Sequence, residues 1–373
     1  MGEIGKIMLY EVMKGDFMIK EIGIKNFRGI KDISLKDFSK INIFVGKANM
    51  RKTSILEALY LYLSDHPESI TDILEFRGIV SDEDCFQSFF YDYNLQEMIV
   101  LNEGKREIKI HSCNDIYTNI LVDNSQQKHQ ENIEITFNDM SIKGINTIIF
   151  DYSNNEIIER IKISRKQANP FQMQFQNELK LKLNKAQKAL HKKAEFICED
   201  NAYNKTLRNN VKDIFLSARK RRDLMEKIRN FFNDIEDITM LGNKIVVQKE
   251  GLDTLLNLRL MGSGFQKIFA IILSVLKNRK YILIDEIENG LHFKDINSLL
   301  QIILDDDTKA QFFITTHNEE ILKHLNSLLE NKGTENLVSI FKVYEDAKQN
   351  IKTGRYSQEN FIFNTNHNNE MRD

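Results

Sequence analysis

Apolar residues recur along this chain at three different spacings, and each change of spacing marks a change of element. From Met18 the apolar positions Ile19, Ile22, Ile24 and Phe27 roughly alternate with polar ones, and Ile30, Ile33 and Leu35 resume the alternation after Arg28-Gly29. That period predicts two strands in a hairpin with Gly29 at the turn. Ile41–Val45, Tyr281–Ile284 and Phe312–Ile314 are instead apolar almost throughout, as parallel strands covered on both faces are. Ile55, Leu56, Leu59 and Tyr62 share one face of a helix that starts at Lys52. Further helices are predicted from Phe265 to about Leu276, from about Asp295 to Leu304, and from Asn318, a capping residue type followed by Glu319 and Glu320.

The middle of the chain follows other periods. A short helix and loop over 66–80 precede strand-like runs at Met98–Leu101, Glu107–His111, Thr118–Val122, Ile133–Phe137 and Ile142–Phe150. Polar connectors join these runs, which predicts a mainly antiparallel β-subdomain. From Phe171 to about Ile238 there is no Gly or Pro and much Lys, Gln, Glu and Leu, so two or three helices are expected there. Ile245–Val247 and Leu337–Tyr344 are late strands, and the Asn-rich end is expected to be loosely held. The expected architecture is α/β, a central largely parallel sheet with an antiparallel β-subdomain and an inserted helical arm. Its divisions are an N-terminal half at 18–168, the arm at 169–240, a C-terminal half at 241–345 and a tail at 346–373. Regular pattern begins only at Met18, so translation is expected to start there and residues 1–17 to be a non-native extension.

Composition narrows the class. With 373 residues, 42% hydrophobic, the chain can bury a large core and is not a disordered segment. A net charge of −2 advertises no nucleic-acid partner, so any basic surface is local. The candidates are Lys180, Lys182, Lys185, Lys188, Lys192 and Lys193, with Arg219-Lys220-Arg221-Arg222 further on; a basic face there would make DNA a further partner. Cys85, Cys113 and Cys198 have no ligand spacing and read as reduced thiols. No run is long enough to span a membrane, and a cytoplasmic location is expected.

Four stretches carry chemistry. Gly46–Ser54 lies between a strand and a helix, where backbone N–H groups and a helix N-terminus can face phosphate. Gly46, Asn49, Arg51, Lys52, Thr53 and Ser54 are its candidate nucleotide-binding residues. Lys52 would reach the β/γ-phosphates of ATP, and Thr53 would ligate Mg²⁺. Arg51 stands where such loops want Gly, at a cost on the order of 1 kcal/mol if φ is positive there. Met261–Lys267 is a Gly/Ser turn opening a helix, a second anion site facing another subunit. Asp285-Glu286 closes the Tyr281–Ile284 strand, placing a metal carboxylate and a water-activating carboxylate where open α/β sheets bind ligands. Thr315-Thr316-His317 closes a neighbouring strand, and a His there can hydrogen-bond a γ-phosphate or order the attacking water.

In this order the four stretches resemble an ABC-type ATPase head of the SMC/RecF/OLD-like branch. Gly46–Ser54 resembles the Walker A motif, Ser263-Gly264-Phe265-Gln266 the ABC signature with Phe265 replacing its second Gly, Ile282–His292 Walker B plus D-loop, and Thr315–His317 the switch histidine. The opening Ile24–Ile30 and the late Ser339–Asp346 resemble compact OLD-like AAA family ATPases of bacteria. The resemblance implies a homodimer around two ATP and Mg²⁺. In it Asp285 supports the metal, Glu286 activates water, His317 senses the γ-phosphate, and Ser263, Gly264 and Gln266 close the site of the partner. OLD nucleases carry a Toprim domain after the ATPase, and the stretch after His317 is too short for one. The resemblance therefore implies a separate effector, such as a Toprim-type nuclease, in phage or mobile-element defence. Two other readings stand beside it: a RecF-like DNA-repair clamp, and a non-hydrolysing nucleotide-gated scaffold on account of Arg51.

Overall fold

The computed structural model describes residues 18–64, 69–79, 82, 84–112, 132–139, 147–154, 157–167, 193–198, 205–305, 310–332 and 336–367. Its strands are β1 (Glu21–Phe27), β2 (Ile30–Lys36), β3 (Ile41–Val45), β4 (Ile99–Glu103), β5 (Arg106–Ser112), β6 (Asn132–Asp139), β7 (Thr147–Asn154), β8 (Ile157–Gln167), β9 (Ala194–Ile197), β10 (Ile235–Leu241), β11 (Lys244–Lys249), β12 (Leu256–Asn257), β13 (Tyr281–Ile284), β14 (Gln311–Thr315), β15 (Val338–Glu345) and β16 (Ile351–Ser357).

Six of them form the central sheet, in the order β16-β15-β3-β14-β13-β9. The run from β15 to β9 is parallel throughout, and β16 closes one edge antiparallel to β15. The apolar runs read from the sequence are these buried strands, and their alternation sorts residues to two cores. Phe44, Leu283, Phe313, Phe341 and Val343 face one side, packed with the helix Lys52–Ser64 and strands β1, β2, β4 and β5. Ile43, Val45, Ile282, Ile284, Phe312, Ile314 and Ile340 face the other, packed with the helices Ser263–Leu276, Phe293–Asp305 and Glu319–Lys332. The second sheet has the order β2-β1-β4-β5-β7-β8-β6 and is antiparallel except for the parallel pair β6–β8. A small antiparallel sheet, β10-β11-β12, stands beside the second core.

Two buried amides tie the β1–β2 hairpin region to the central sheet. Asn42, inside the otherwise apolar β3, donates to the carbonyls of Ser39 (2.9 Å) and Phe312 (3.1 Å). Gln311 opens β14; its Oε1 accepts from Ile19 N–H at 3.1 Å, and its Nε2 donates to Ile19 O at 3.0 Å and Ser39 O at 2.8 Å. Every polar atom of these side chains is thereby satisfied in the core, as burial requires.

The structure departs from the expected arm and tail. Residues 168–192, which hold most of the Lys-rich stretch, lie outside the described residues, as do Thr118–Val122 and residues 1–17. Within the span read as an arm, Ala194–Ile197 is a strand of the central sheet, parallel to β13. The helices Lys205–Phe215 and Ala218–Arg229 place Val211, Ile214, Leu224 and Ile228 in the second core rather than projecting from it. Ile235–Ile238, read as the end of the helical span, instead open β10. The absence of Gly and Pro was equally compatible with helix and strand, and Ala194–Ile197 is too short for its period to register. The tail is also ordered as far as His367: β16 pairs with β15 along its length, and the helix Gln358–Asn366 buries Phe361. Only one large apolar side chain per turn anchors that helix, so its sequence looks polar. Among the described residues no helix is long and apolar enough to cross a membrane.

Phe361→Ala should therefore cost about 3–5 kcal/mol of stability, whereas Phe363→Ala, 58% exposed on the same helix, should cost less than about 0.5 kcal/mol. Urea denaturation of the two variants checks this. Equal stabilities would mean that the terminal helix does not dock.

Candidate functional site

The candidate site lies where β3, β14 and β13, three adjacent parallel strands, run out at the same edge of the sheet. β3 ends at Gly46, whose φ of 150° and tight packing exclude a side chain, since a Cβ there would sit 2.3 Å from the carbonyl oxygen of Val343. The chain then loops through two left-handed residues, Asn49 (φ 65°) and Arg51 (φ 59°), into the helix Lys52–Ser64. The expected strain at Arg51 is thus present. Its guanidinium lies across the hairpin turn, where a Cβ on Gly29 would be 2.2 Å from Nε, and Nη1 donates to Asn49 Oδ1 at 3.2 Å.

Lys52 is buried, and its Nζ donates to the loop carbonyls of Gly46 (2.8 Å) and Lys47 (2.7 Å). Burial lowers its pKa, against the upward pull of Glu286, Glu288 and Asp285. The next residue, Thr53, donates its hydroxyl to both carboxylate oxygens of Asp285, at 3.1 and 3.0 Å. Thr315, at the end of β14, donates to Asp285 Oδ1 at 2.7 Å and accepts from the Glu286 N–H at 2.7 Å. Burial raises the Asp285 pKa; the two threonine hydroxyls pull it down, and the Glu286 and Glu57 charges push it further up. Ser54 is buried within the helix.

Glu286 has a φ of 44° and so turns sharply away from the strand. Its carboxylate accepts from the Asn289 amide, and its carbonyl accepts from Lys267 Nζ at 2.5 Å. Glu288 meets the switch position: its Oε1 accepts from the Thr316 hydroxyl at 2.9 Å and the His317 N–H at 2.8 Å, and lies 3.0 Å from His317 Nδ1.

Ser263, Gly264 and Gln266 are placed apart from the loop, at the start of the helix Ser263–Leu276. What they contact is the turn after Glu286: a Cβ on Gly264 would be 2.2 Å from the Gly290 carbonyl, and one on Gly290 would be 2.4 Å from Ser263 Oγ. Gln266 Nε2 turns back to the Met261 carbonyl at 2.7 Å. Phe265 is buried, with its ring centroid 4.8 Å from that of Phe232. The residue that departs from the signature pattern therefore points into the core.

The sequence reading missed Glu288, Lys267 and Asn289, and behind them a buried ion cluster. Glu57, one turn after Thr53, is 1% exposed and pairs with Arg28 Nε at 2.5 Å and Arg77 Nε at 2.6 Å. Glu57 lies inside the helical apolar face and was legible as an anomaly, a charge between Leu56 and Ala58. Arg28 and Arg77 lie in turns and give no such signal. Among the described residues no group of three or more His, Cys, Asp and Glu is arranged to hold a metal. The Thr53 hydroxyl and Asp285 carboxylate, hard oxygen donors already in contact, do fit a Mg²⁺ that completes its shell with water and phosphate.

Two family models and two relatives match the chain in sequence. Residues 18–162 match the family described as "AAA ATPase domain", and residues 146–323 match "AAA domain, putative AbiEii toxin, Type IV TA system". The chain is 24% identical over 362 residues to a protein of Helicobacter pylori named "ATP/GTP phosphatase", covering 91% of this chain and 96% of that one. It is 34% identical over 110 residues to an uncharacterized protein of Methanocaldococcus jannaschii, covering 30% of this chain and 48% of the other. Among solved structures, an SMC head bound to the C-terminal winged-helix domain of ScpA aligns with a TM-score of 0.49 at 12% identity, over 91% of this chain and 98% of that one. The SMC head from Thermotoga maritima aligns with a TM-score of 0.41 at 9% identity, over 91% and 100% of the two chains. The two ATPase-domain matches, together with the strand–loop–helix geometry at the end of β3, make the chain an α/β ATPase.

The left-handed backbone at Arg51 is directly testable. Arg51→Gly should be more stable than Arg51→Ala by about 1 kcal/mol, since both lose the guanidinium and only Ala retains the cost of positive φ. Paired thermal or urea melts read the difference, and identical melts would place Arg51 outside the left-handed region.

Proposed function

We propose that this ATPase is a regulatory subunit that closes as a homodimer around ATP and Mg²⁺ and controls a separate effector, such as a nuclease, in phage or mobile-element defence. The observation that carries the hydrolytic part is the contact of Thr53 with Asp285, flanked by Lys52 and Glu286 at three neighbouring strand ends. The description of the second domain match, which names a toxin of a type IV toxin–antitoxin system, supports a role on mobile elements. So does the H. pylori relative, aligned nearly end to end and named for nucleotide hydrolysis.

In this reading the Lys52 ammonium exchanges its hydrogen bonds to the Gly46 and Lys47 carbonyls for the β/γ-phosphates. Thr53 and Asp285 would hold Mg²⁺, which would neutralise charge on the phosphate oxygens. Glu286 takes a proton from water as the water oxygen bonds to the γ-phosphorus. The bond from that phosphorus to the β–γ bridging oxygen breaks, and ADP and phosphate leave. Asn289 occupies one carboxylate oxygen of Glu286, and the other oxygen is the acceptor for the water proton. Ser263 and Gly264, at a helix N-terminus, supply N–H groups and a hydroxyl to the nucleotide of the other subunit. That helix also touches the Glu286 turn through Gly290 and Lys267, so closure on one site bears on the glutamate of the next.

A nucleotide-gated scaffold is the second reading, favoured by the strained Arg51. Steady-state ATP turnover of the wild type, Glu286→Gln and Lys52→Ala separates the two. On the hydrolytic reading Glu286→Gln loses about 10²–10⁴-fold in kcat and gains ATP-dependent dimer by sedimentation, whereas Lys52→Ala loses nucleotide binding. A wild type that dimerises with ATP but never turns it over, alone or with its effector, would leave the scaffold.

A further inference from the structure

The turn after the catalytic strand delivers a second glutamate, and it serves the histidine rather than the metal position. Glu288 Oε1 gathers three contacts: the Thr316 hydroxyl at 2.9 Å, the His317 N–H at 2.8 Å and His317 Nδ1 at 3.0 Å. The glutamate side chain is 8% exposed while that of His317 is 48% exposed. Glu288 Oε2 is buried with no hydrogen-bond partner. Ile287, fully buried, and the bond from its N–H to the Thr315 carbonyl (3.1 Å) fix the turn that makes this approach.

We propose that Glu288 is a positioning residue for His317, holding the ring proton on Nδ1 so that Nε2 is presented as a hydrogen-bond acceptor. An ionised carboxylate has no proton to offer, and an anionic oxygen 3.0 Å from Nδ1 repels a lone pair there and attracts a hydrogen. Nδ1 therefore carries its hydrogen, and in the neutral ring the lone pair is on Nε2, at the edge away from Glu288. An acceptor there cannot donate to a phosphate oxygen. It can take a hydrogen bond from a water whose other proton passes to Glu286. The assignment rests on the hydrolytic reading above and sharpens it: of the two roles open to a histidine at this strand end, His317 orders the attacking water. The buried, unpaired Oε2 fits this account, because a carboxylate kept only to cap the following turn would not need its second oxygen desolvated.

The test joins a spectroscopic and a kinetic readout. In protein labelled with ¹⁵N-histidine, with the His317 ring identified from a His317→Gln spectrum, the wild type should show the Nδ1–H tautomer. Glu288→Ala should shift it toward Nε2–H. Glu288→Ala should lower kcat by about 10- to 100-fold, the usual effect of removing the residue that orients a working histidine, with KM for ATP unchanged. In a His317→Ala background the same substitution should cost nothing further. Glu288→Gln keeps an acceptor in the same place, serves as the folded control and should recover most of the turnover. An Nε2–H ring in the wild type, or a Glu288→Ala loss that adds in full to that of His317→Ala, would overturn the proposal. A wild type with no turnover would overturn the hydrolytic reading instead, and the tautomer would still decide whether Glu288 sets the ring.

Discussion

The Asp285 carboxylate is the point on which the rest of this site depends. It ends a fully buried strand and must be satisfied where water is scarce, and the two groups that satisfy it come from different parts of the chain. Thr53 opens the helix after the phosphate loop, and Thr315 ends the adjacent strand β14. Hydrogen bonds to a charged acceptor contribute about 1.5–3 kcal/mol each, so this carboxylate fixes the loop helix to the sheet and the strand ends to each other. The fixing is incomplete electrostatically. Burial still raises the Asp285 pKa, and Glu286 and Glu57 push it up further. Two more carboxylates, Glu286 and Glu288, act on Lys52 alongside Asp285. A triphosphate brought into such a field needs a cation with it, which is the physical reason to read Thr53 and Asp285 as a Mg²⁺ pair rather than a plain structural link.

The second dependence runs through the helix Ser263–Leu276. Its first turn presses on Gly290, and its buried Lys267 donates to the Glu286 carbonyl. Glu286 occupies left-handed backbone, a conformation that a non-glycine residue holds only when its surroundings over-determine it. Here Thr315 holds the N–H, Lys267 the C=O and Asn289 the carboxylate. The glutamate read as the water-activating group is thus held by the element read as the contact to a partner subunit.

How much was legible follows from how local each signal was. The apolar strands and the helix after Lys52 were readable because burial on both faces, or on one helical face, leaves an unambiguous period over several residues. The phosphate loop, Asp285, Glu286 and His317 were readable because each sits immediately after such a strand. β9 and β10 were not: four residues cannot display a period, and Ile235–Leu241 carries its apolar residues at spacings a helix also allows. The docked terminal helix escaped because Phe361 is its one fully buried apolar side chain, with Ile362 only partly buried beside it and polar contacts from Gln358 and Asn366 doing the rest. Glu288 escaped for a different reason. Its role depends on Thr316 and His317, 28 and 29 residues away, and only the parallel register of β13 and β14 brings those strand ends together.

That register, with the helix it carries, also constrains how the site can respond to nucleotide. Of the 13 residues of the helix Lys52–Ser64, only Thr53 is not buried, because the helix lies between the central sheet and the antiparallel one. A helix packed on all sides cannot tilt without opening the core between the two sheets, and close-packed interiors resist such shifts. Accommodation of the phosphates therefore falls to the groups that can move alone: the Lys52 side chain, the loop residues Asn49 and Arg51 in their left-handed conformations, and the Glu286 carboxylate on Asn289. Of these, the Glu286 turn alone is also held by the Ser263–Leu276 helix. In the dimer proposed above, a signal between the two copies would run through that turn, with the loop helix as the fixed frame against which it moves.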